Sequence, residues 1–431
     1  MKKILIGIIG VLGVVLPIHA QTVYVCKGYN YTKYQIASLG DITFDATKMT
    51  MSIAGEEQNI SEIDSITFEE PQFEKVSIVY NGSTATVTIP SSFTGVTCTS
   101  GTSSHVVITS KNTSNEYLYY VEGSSSNGSL TINGEYKMSV MLGGVNLTSG
   151  KGAAVDIQCG KRIDIILADG TTNTLVDYVG GEQKAALYTK GHAEFKGAGT
   201  LNVSGNVGHA IAAKEYIELK GSLGTINVLK AVKDGIHCGK GEKATPDDNY
   251  FQMNGGIVTI SNCGSDCIDS DDYGNVKIKG GTLTLNVSQK DGTGIKCDSL
   301  FTMSGGTVSF AVSGDIAEGI RTAYKATFSG GEINGSITGN GSRGIRGKKT
   351  TKTTDTTLNG GFLDFKGTNV TLVVSGGTYT VDQSKCFGIK ADQTLTQTAG
   401  DISITVSNSA ATAIKATTDT WTGGTRNGKA K

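Results

Sequence analysis

The sequence predicts an all-β protein in which most of the chain is a right-handed parallel β-helix, a solenoid of about 25 residues per coil, preceded by a small N-terminal module. Two periodic patterns carry this prediction: an isoleucine that follows a small residue recurs along the chain, and so does a pair of glycines. A third observation is the abundance of β-branched runs such as 282–287, with no convincing amphipathic helix after the N-terminus.

The recurrent isoleucines set the length of the repeat. Four of the seven spacings between them are 25 residues, and the others, 27, 32 and 44, correspond to 25 plus an insertion. Repeats of this length are typical of solenoids, in which each repeat buries its apolar residue against the next one. A leucine-rich repeat of similar length would need a Leu/Asn consensus that this sequence lacks. The aligned residues are Ile211, Ile236, Ile268, Ile295, Ile320, Ile345, Ile389 and Ile414.

The paired glycines predict sharp corners between the strands. Glycine adopts positive φ values without steric cost, so two in succession are typical of a tight turn. A β-branched or aromatic run follows several of them, as at 307–310. Each repeat is therefore predicted to consist of strand, corner, strand and corner. The pairs begin at Gly255, Gly280, Gly305, Gly330, Gly360 and Gly376.

The N-terminal part of the chain predicts export and a separate module. Lys2 and Lys3 precede an apolar run that ends near Ile18, and Ala20 precedes Gln21, which is the pattern of a secretory signal peptide over residues 1–20. We expect a small module at 21–70, a strand-rich lead-in region at 71–135 and the solenoid at 136–431. No later apolar run is long enough for a membrane span. We therefore expect a secreted, periplasmic or cell-surface protein.

Charge and cysteine content exclude several classes of protein. Without Lys2 and Lys3 the chain carries 36 basic and 39 acidic residues, a net charge of 36 − 39 = −3, which gives no electrostatic basis for binding nucleic acid. The eight cysteines lack the paired spacing of a zinc site. Both buried thiols and disulfides are compatible with an exported chain.

Five basic residues follow the aligned isoleucines of successive repeats. If each isoleucine points into the core, the next residue points outward. These residues then form one column, which we call the basic column. It is either a cationic track for an acidic polymer or a structural column that Asp298, Glu318 and Asp392 neutralise. Its members are Lys296, Arg321, Arg346, Lys390 and Lys415.

An acidic cluster falls on adjacent repeats. Crowded carboxylates repel each other unless a cation joins them, and Ca²⁺ takes six to eight oxygen ligands. As a hard ion it suits carboxylates better than zinc does. The sequence therefore predicts a calcium site here, with a solvated acidic loop as the alternative. The candidate ligands are Asp234, Asp266, Asp269, Asp271, Asp291 and Asp298, with Asp272 beside them.

The chain also resembles a known family. The run 163–175, the run 185–190, the segment beginning at Asp234 and the recurring Ser-Gly-Gly-Thr resemble bacterial carbohydrate-binding β-helix proteins over roughly 75–425. The family is similar in fold to family-nine pectate lyases. The resemblance implies binding of cellulose and of acidic plant polysaccharides such as pectin, with bound calcium.

The resemblance also assigns expected roles to individual residues. In the related lyases an Asp on one coil and a D-D-x-x-D-like group on the next hold calcium, and Asp234, Asp266 and Asp269 match that pattern here. Ser265 replaces the first Asp of the second group. The lyases use a Lys as the base, and Lys296 is the nearest candidate, although its spacing gives no firm match.

Three functional hypotheses follow, in order of preference. The first is a monomeric protein that binds polysaccharide, acidic or from plant cell walls, without catalysis. The second is a calcium-dependent pectate (polygalacturonate) lyase with Lys296 as its catalytic residue. The third is a structural surface adhesin that uses the repeats only as a rod.

Overall fold

The computed structural model describes residues 22–27, 30–239, 249–271, 273–349 and 360–427. The predicted signal peptide and Asp272 lie outside the described residues. The chain divides between Glu74 and Lys75 into two compact units. The finer boundaries at residues 70 and 135 stay predictions.

The N-terminal unit consists of two small antiparallel sheets. Their strand orders are β2-β1-β6 and β3-β4-β5, and Val23, Val25, Met51 and Ile53 are buried between apolar neighbours. Two short 3-10 helices, Ile36–Ser38 and Ile60–Glu62, connect strands. The strands are β1 (Thr22–Lys27), β2 (Asn30–Gln35), β3 (Thr43–Asp45), β4 (Thr50–Ile53), β5 (Glu56–Asn59) and β6 (Ser65–Thr67).

The second unit is built almost entirely of strands. Its first half comprises β7 (Val76–Asn81), β8 (Thr84–Thr88), β9 (Val96–Cys98), β10 (His105–Ser110), β11 (Tyr117–Ser125), β12 (Ser129–Gly134), β13 (Met138–Thr148), β14 (Val155–Gln158), β15 (Arg162–Leu167), β16 (Thr172–Val176), β17 (Ala185–Thr189), β18 (His192–Lys196), β19 (Thr200–Gly205), β20 (His209–Ala213), β21 (Ile217–Leu219) and β22 (Thr225–Ala231). Its second half comprises β23 (Ile236–Cys238), β24 (Tyr250–Met253), β25 (Ile257–Ile260), β26 (Ile268–Ser270), β27 (Asn275–Ile278), β28 (Thr282–Val287), β29 (Thr293–Cys297), β30 (Leu300–Val312), β31 (Glu318–Thr322), β32 (Lys325–Ile337), β33 (Arg343–Gly347), β34 (Phe362–Lys366), β35 (Asn369–Val374), β36 (Phe387–Ala399), β37 (Asp401–Val406), β38 (Thr412–Trp421) and β39 (Thr425–Arg426).

The predicted right-handed parallel β-helix solenoid is wrong, because strands β7–β39 join into one closed barrel. The paired glycines were expected to end strands. The pairs at 255–256 and 280–281 do lie between strands, but β30 runs through Gly305 and Gly306, and β32 runs through Gly330 and Gly331, each as a continuous strand of 13 residues. The pairing of β30 with β32 shifts register on both sides of Ser304, which is a β-bulge and not a break. Because such strands continue across the expected corners, neighbouring faces belong to one sheet.

The register of the barrel agrees with the alignment of the isoleucines. Ile211 pairs with Ile236, Ile236 with Ile268, and the series continues in parallel register to Ile414. All of these residues are buried. Antiparallel pairs join β7 to β8 and β9 to β10 at the start of the unit.

The core of the second unit is one continuous apolar cluster. Phe301, Phe328 and Phe365 lie on neighbouring strands, with ring centroids 5.3 and 4.5 Å apart. All eight cysteines are free thiols, and seven of them are buried. Among the described residues, no helix has the length and apolarity that crossing a membrane requires.

Candidate functional site

The residues that follow the aligned isoleucines form one column on the outside of the barrel. Parallel pairing places each member opposite the next on the neighbouring strand, and the column extends beyond the isoleucine repeat to Asp156 and Tyr188. We call this set the outer column. In order it contains Asp156, Tyr188, Ala212, His237, Asp269, Lys296, Arg321, Arg346, Lys390 and Lys415.

Three of the predicted ligands meet at this column, and one of them, Asp269, belongs to it. Asp234, Asp266 and Asp269 are all buried, and each offers an oxygen within 4.8 Å of the others. The backbone explains their orientation, because Oδ1 of Asp234 accepts the Asp266 N–H at 3.0 Å and Oδ1 of Asp266 accepts the Thr293 N–H at 2.8 Å. In Asp234 and Asp266, Oδ1 therefore ties the backbone of two neighbouring repeats together. We call these three residues the Asp cluster.

Two histidines that sequence reasoning did not assign to the site adjoin the Asp cluster. Nδ1 of His209 lies 3.0 Å from Oδ2 of Asp234, and Nδ1 of His237 lies 3.2 Å from the same atom. Their rings stack with centroids 4.3 Å apart. His209 lies two residues before Ile211, and His237 lies one residue after Ile236. Their positions in the aligned repeats are the sequence signal that could have placed them next to each other.

Lys296 places an ammonium group among the carboxylates. Its Nζ lies 2.9 Å from Oδ2 of Asp269, 3.6 Å from Oδ1 of Asp271 and 3.8 Å from Oδ2 of Asp266. Burial alone would lower the pKa of Lys296. Asp269 and the other nearby carboxylates raise this pKa by more than burial lowers it, so it lies well above its usual value. Lys296 is therefore a fixed cation that offsets part of the negative charge.

The protein environment distributes charge unevenly within the Asp cluster. Burial raises the pKa of Asp269 to about 7, although Lys296 acts in the opposite direction. Burial and the charge of Asp234 also raise the pKa of Asp266. For Asp234, burial is outweighed by hydrogen bonds from His209 and His237, and its pKa falls well below the usual range. Negative charge thus concentrates on Asp234.

The other predicted metal ligands do not join the Asp cluster. Asp271 is half-buried and faces Lys296, Asp298 is half-buried, and Asp291 is exposed on a turn with φ of 60°. In the described part of the chain, the groups with ligand atoms within 4.8 Å are the Asp cluster and the set His209, Asp234 and His237.

The Asp cluster fits a calcium ion by reach and by donor type. Calcium–oxygen bonds measure about 2.3–2.6 Å, so two ligands of one ion lie up to roughly 5 Å apart. Oδ1 of Asp269 is buried and has no hydrogen-bond partner within the described ranges. Such an atom normally has a partner, because an unpaired buried acceptor is costly. The ammonium of Lys296 would have to move aside for an ion to contact all three carboxylates.

The basic column is half-buried and largely ion-paired. Glu318 lies 2.7 Å from Arg346, 3.5 Å from Arg343 and 3.8 Å from Arg321. Asp392 lies 3.2 Å from both Arg346 and Lys390. Lys415 is exposed, and its ammonium lies 5.9 Å from the centroid of the Phe387 ring. Among the described residues, Glu318 and Asp392 therefore form ion pairs with three members of the column, Arg321, Arg346 and Lys390.

Comparison with known proteins identifies the family. The profile of the family described as "Carbohydrate-binding domain-containing protein" matches residues 102–411. A curated protein of the same description from Acetivibrio thermocellus is 26% identical over 213 residues, which is 43% of this chain and 72% of that protein. The solved structure of the polysaccharide lyase-like protein from C. thermocellum, a gadolinium derivative, is also similar, with 22% sequence identity and a TM-score of 0.41. The match covers 61% of this chain and 94% of that chain. Because the family match spans most of the sequence, the chain belongs to the family of carbohydrate-binding domain-containing proteins.

Proposed function

We propose that the protein is a secreted, calcium-associated polysaccharide-binding protein for acidic or plant cell-wall glycans. Membership of the carbohydrate-binding family supports a polysaccharide partner. The observation that carries the calcium part is the convergence of three buried carboxylates, one of which has an oxygen, Oδ1 of Asp269, without a hydrogen-bond partner within the described ranges. The signal-like segment at residues 1–20 supports export.

Different residues of the chain would have different roles at this site. Asp234, Asp266 and Asp269 would hold the ion, and His209 and His237 orient Asp234 from the side. When bound, calcium would supply a Lewis-acidic centre for carboxylate and hydroxyl oxygens of a sugar acid. Lys296 compensates the carboxylate charge when no ion is present.

Calcium is expected to raise the melting temperature of the parent protein and not that of an Asp234→Asn, Asp266→Asn, Asp269→Asn variant. A ligand that binds only the native state stabilises it by about 2.7 kcal/mol at a hundredfold excess over its dissociation constant. Differential scanning calorimetry with and without calcium measures the shift. The matched control is Asp291→Asn, at the exposed predicted ligand outside the cluster, which should retain the full shift. An undiminished shift in the triple variant would place the ion elsewhere.

The lyase alternative has one structural observation in its favour, which is that Lys296 adjoins the Asp cluster. A lysine that removes a proton must first be neutral, and catalytic lysines have lowered pKa values for this reason. The carboxylates around Lys296 act in the opposite direction and keep it protonated. In the calcium-free protein Lys296 is therefore not prepared to act as a base, and we propose binding without turnover.

We expect polygalacturonate in the gel to slow the migration of the protein in affinity electrophoresis. We also expect the protein to produce no unsaturated uronates from it. The ultraviolet absorbance of those products, followed with calcium present, separates binding from lysis directly. Accumulating absorbance that Lys296→Ala abolishes would establish the lyase instead. Failure to retain polygalacturonate, pectin or cellulose would favour the structural adhesin.

A further inference from the structure

A groove of about 510 Å³ lies at the N-terminal end of the outer column. Tyr188 and Asp156 contribute to its lining together with Lys184, Lys190 and Lys214. Tyr188 packs against Ala212 and is itself buried, so it forms part of the floor.

The groove and the Asp cluster lie on the same outer column. Tyr188 pairs with Ala212, Ala212 with His237, and His237 with Asp269. Three strand spacings therefore separate Tyr188 from Asp269, a distance of about 14 Å. A polymer lying along the column would occupy the groove and reach the Asp cluster.

The lysines of the groove differ from those of the basic column because no described carboxylate forms an ion pair with them, although the charge of Lys184 acts on Asp156. Lys184 and Lys190 are exposed and Lys214 is half-buried. Within the described ranges none of the three forms an ion pair, and the ammonium of Lys184 lies 3.5 Å from the Tyr188 hydroxyl. Two acidic residues also line the groove: Asp156 accepts a hydrogen bond from Gln158 at 2.8 Å, and Glu182 is exposed. The groove thus offers uncommitted ammonium groups beside amide and carboxylate acceptors.

Lys190 and Lys214 are spaced for a repeating anion. They follow strands β17 and β20, which pair in parallel, and the Lys214 N–H donates to the Thr189 carbonyl at 3.0 Å. The two positions are therefore one strand spacing apart, about 4.8 Å. That spacing is comparable to the length of one sugar unit in an extended chain.

We propose that this groove, and not the basic column, binds the uronate units of an acidic polysaccharide. Lys190 and Lys214 would pair with successive sugar carboxylates, while Gln158 and Asp156 would hydrogen-bond to hydroxyl groups. The chain would continue over Ala212 towards the Asp cluster. This inference rests on the proposed function, because it names the subsite at which the acidic glycan binds.

Isothermal titration with hexagalacturonate tests the proposal. The Lys190→Gln, Lys214→Gln variant should bind about tenfold more weakly than the parent at low salt, the order expected for two exposed ion pairs. The difference should largely vanish at 1 M salt, where the Debye length is about 3 Å. A net-charge control is Lys279→Gln, Lys366→Gln, which removes two exposed lysines from other strands and should bind like the parent.

The methyl ester of hexagalacturonate separates charge recognition from loss of the fold. It keeps all the ring hydroxyls but carries no carboxylates, so the parent and the groove variant should bind it equally. An equal loss for the acid and the ester would overturn the proposal, as would unchanged binding of the acid by the groove variant. In the latter case the proposed function stands and the sugar binds elsewhere. If the parent binds neither form, this inference falls, whereas binding of pectin or cellulose would still support the proposed function.

Discussion

Replacing Lys296 with Met should lower the free energy of unfolding by about 3–5 kcal/mol in calcium-free buffer, the range for removal of one partner of a buried ion pair. The Lys296 side chain is only 20% exposed, and its ammonium lies within 3.8 Å of three carboxylates. Methionine keeps a similar length without the charge. The carboxylates would then face each other with no cation between them. Urea denaturation at neutral pH measures the loss.

The same variant should gain more stability from calcium than the parent does. In the parent, an ion that contacts the Asp cluster must displace the ammonium from its position 2.9 Å from Asp269. Without the ammonium, the ion would compensate the carboxylates that Lys296 contacts in the parent. Lys366→Met, at an exposed position, is the matched control and should change stability by no more than about 0.5 kcal/mol. Equal calcium effects in the parent and Lys296→Met would show that the ion and Lys296 do not share these carboxylates.

Glu318→Gln should also destabilise the protein by about 3–5 kcal/mol, because it removes the carboxylate that separates three guanidinium groups. The Glu318 side chain is 6% exposed and lies between 2.7 and 3.8 Å from Arg321, Arg343 and Arg346. Glutamine retains the shape but not the charge. Arg346 would keep Asp392 as a partner, whereas Arg321 and Arg343 form no ion pair within the described ranges other than the one with Glu318.

Chemical denaturation of Glu318→Gln beside Glu332→Gln measures this contribution. Glu332 is exposed on β32, and its substitution should leave the unfolding free energy nearly unchanged. If the two variants are equally stable, the ion pairs around Glu318 contribute little and the basic column is less neutralised than its geometry indicates. Such a result would again make the basic column a candidate glycan-binding surface.

The alignment of residues along the outer column was predictable because strand pairing repeats the same register. A residue one place after an aligned isoleucine must point outward, and parallel pairing then stacks it on its counterpart. The convergence of Asp234, Asp266 and Asp269 followed from the same alignment and the resemblance. Local sequence determines these relationships because each depends only on position within a repeat.

Closure of the barrel was not predictable from the repeat. Paired glycines permit a corner, but they also permit a bulge within a continuous strand, and β30 and β32 adopt the second form. Which form occurs depends on hydrogen bonds from the neighbouring strand. Those partners lie about 25 residues away in sequence, so no local pattern decides between the two.

Charge compensation was likewise decided by contacts between distant segments. The alignment of the repeats placed Lys296 in the basic column, which could have been a cationic track. In the folded chain its ammonium points into the Asp cluster. Glu318 bonds Arg346 across 28 positions, while Lys190 and Lys214 find no such partner among the described residues. The sequence alone determines which charged residues share a column, because backbone register repeats. Only the tertiary structure decides which charges are neutralised and which remain available, because side-chain reach, burial and neighbouring strands set those contacts.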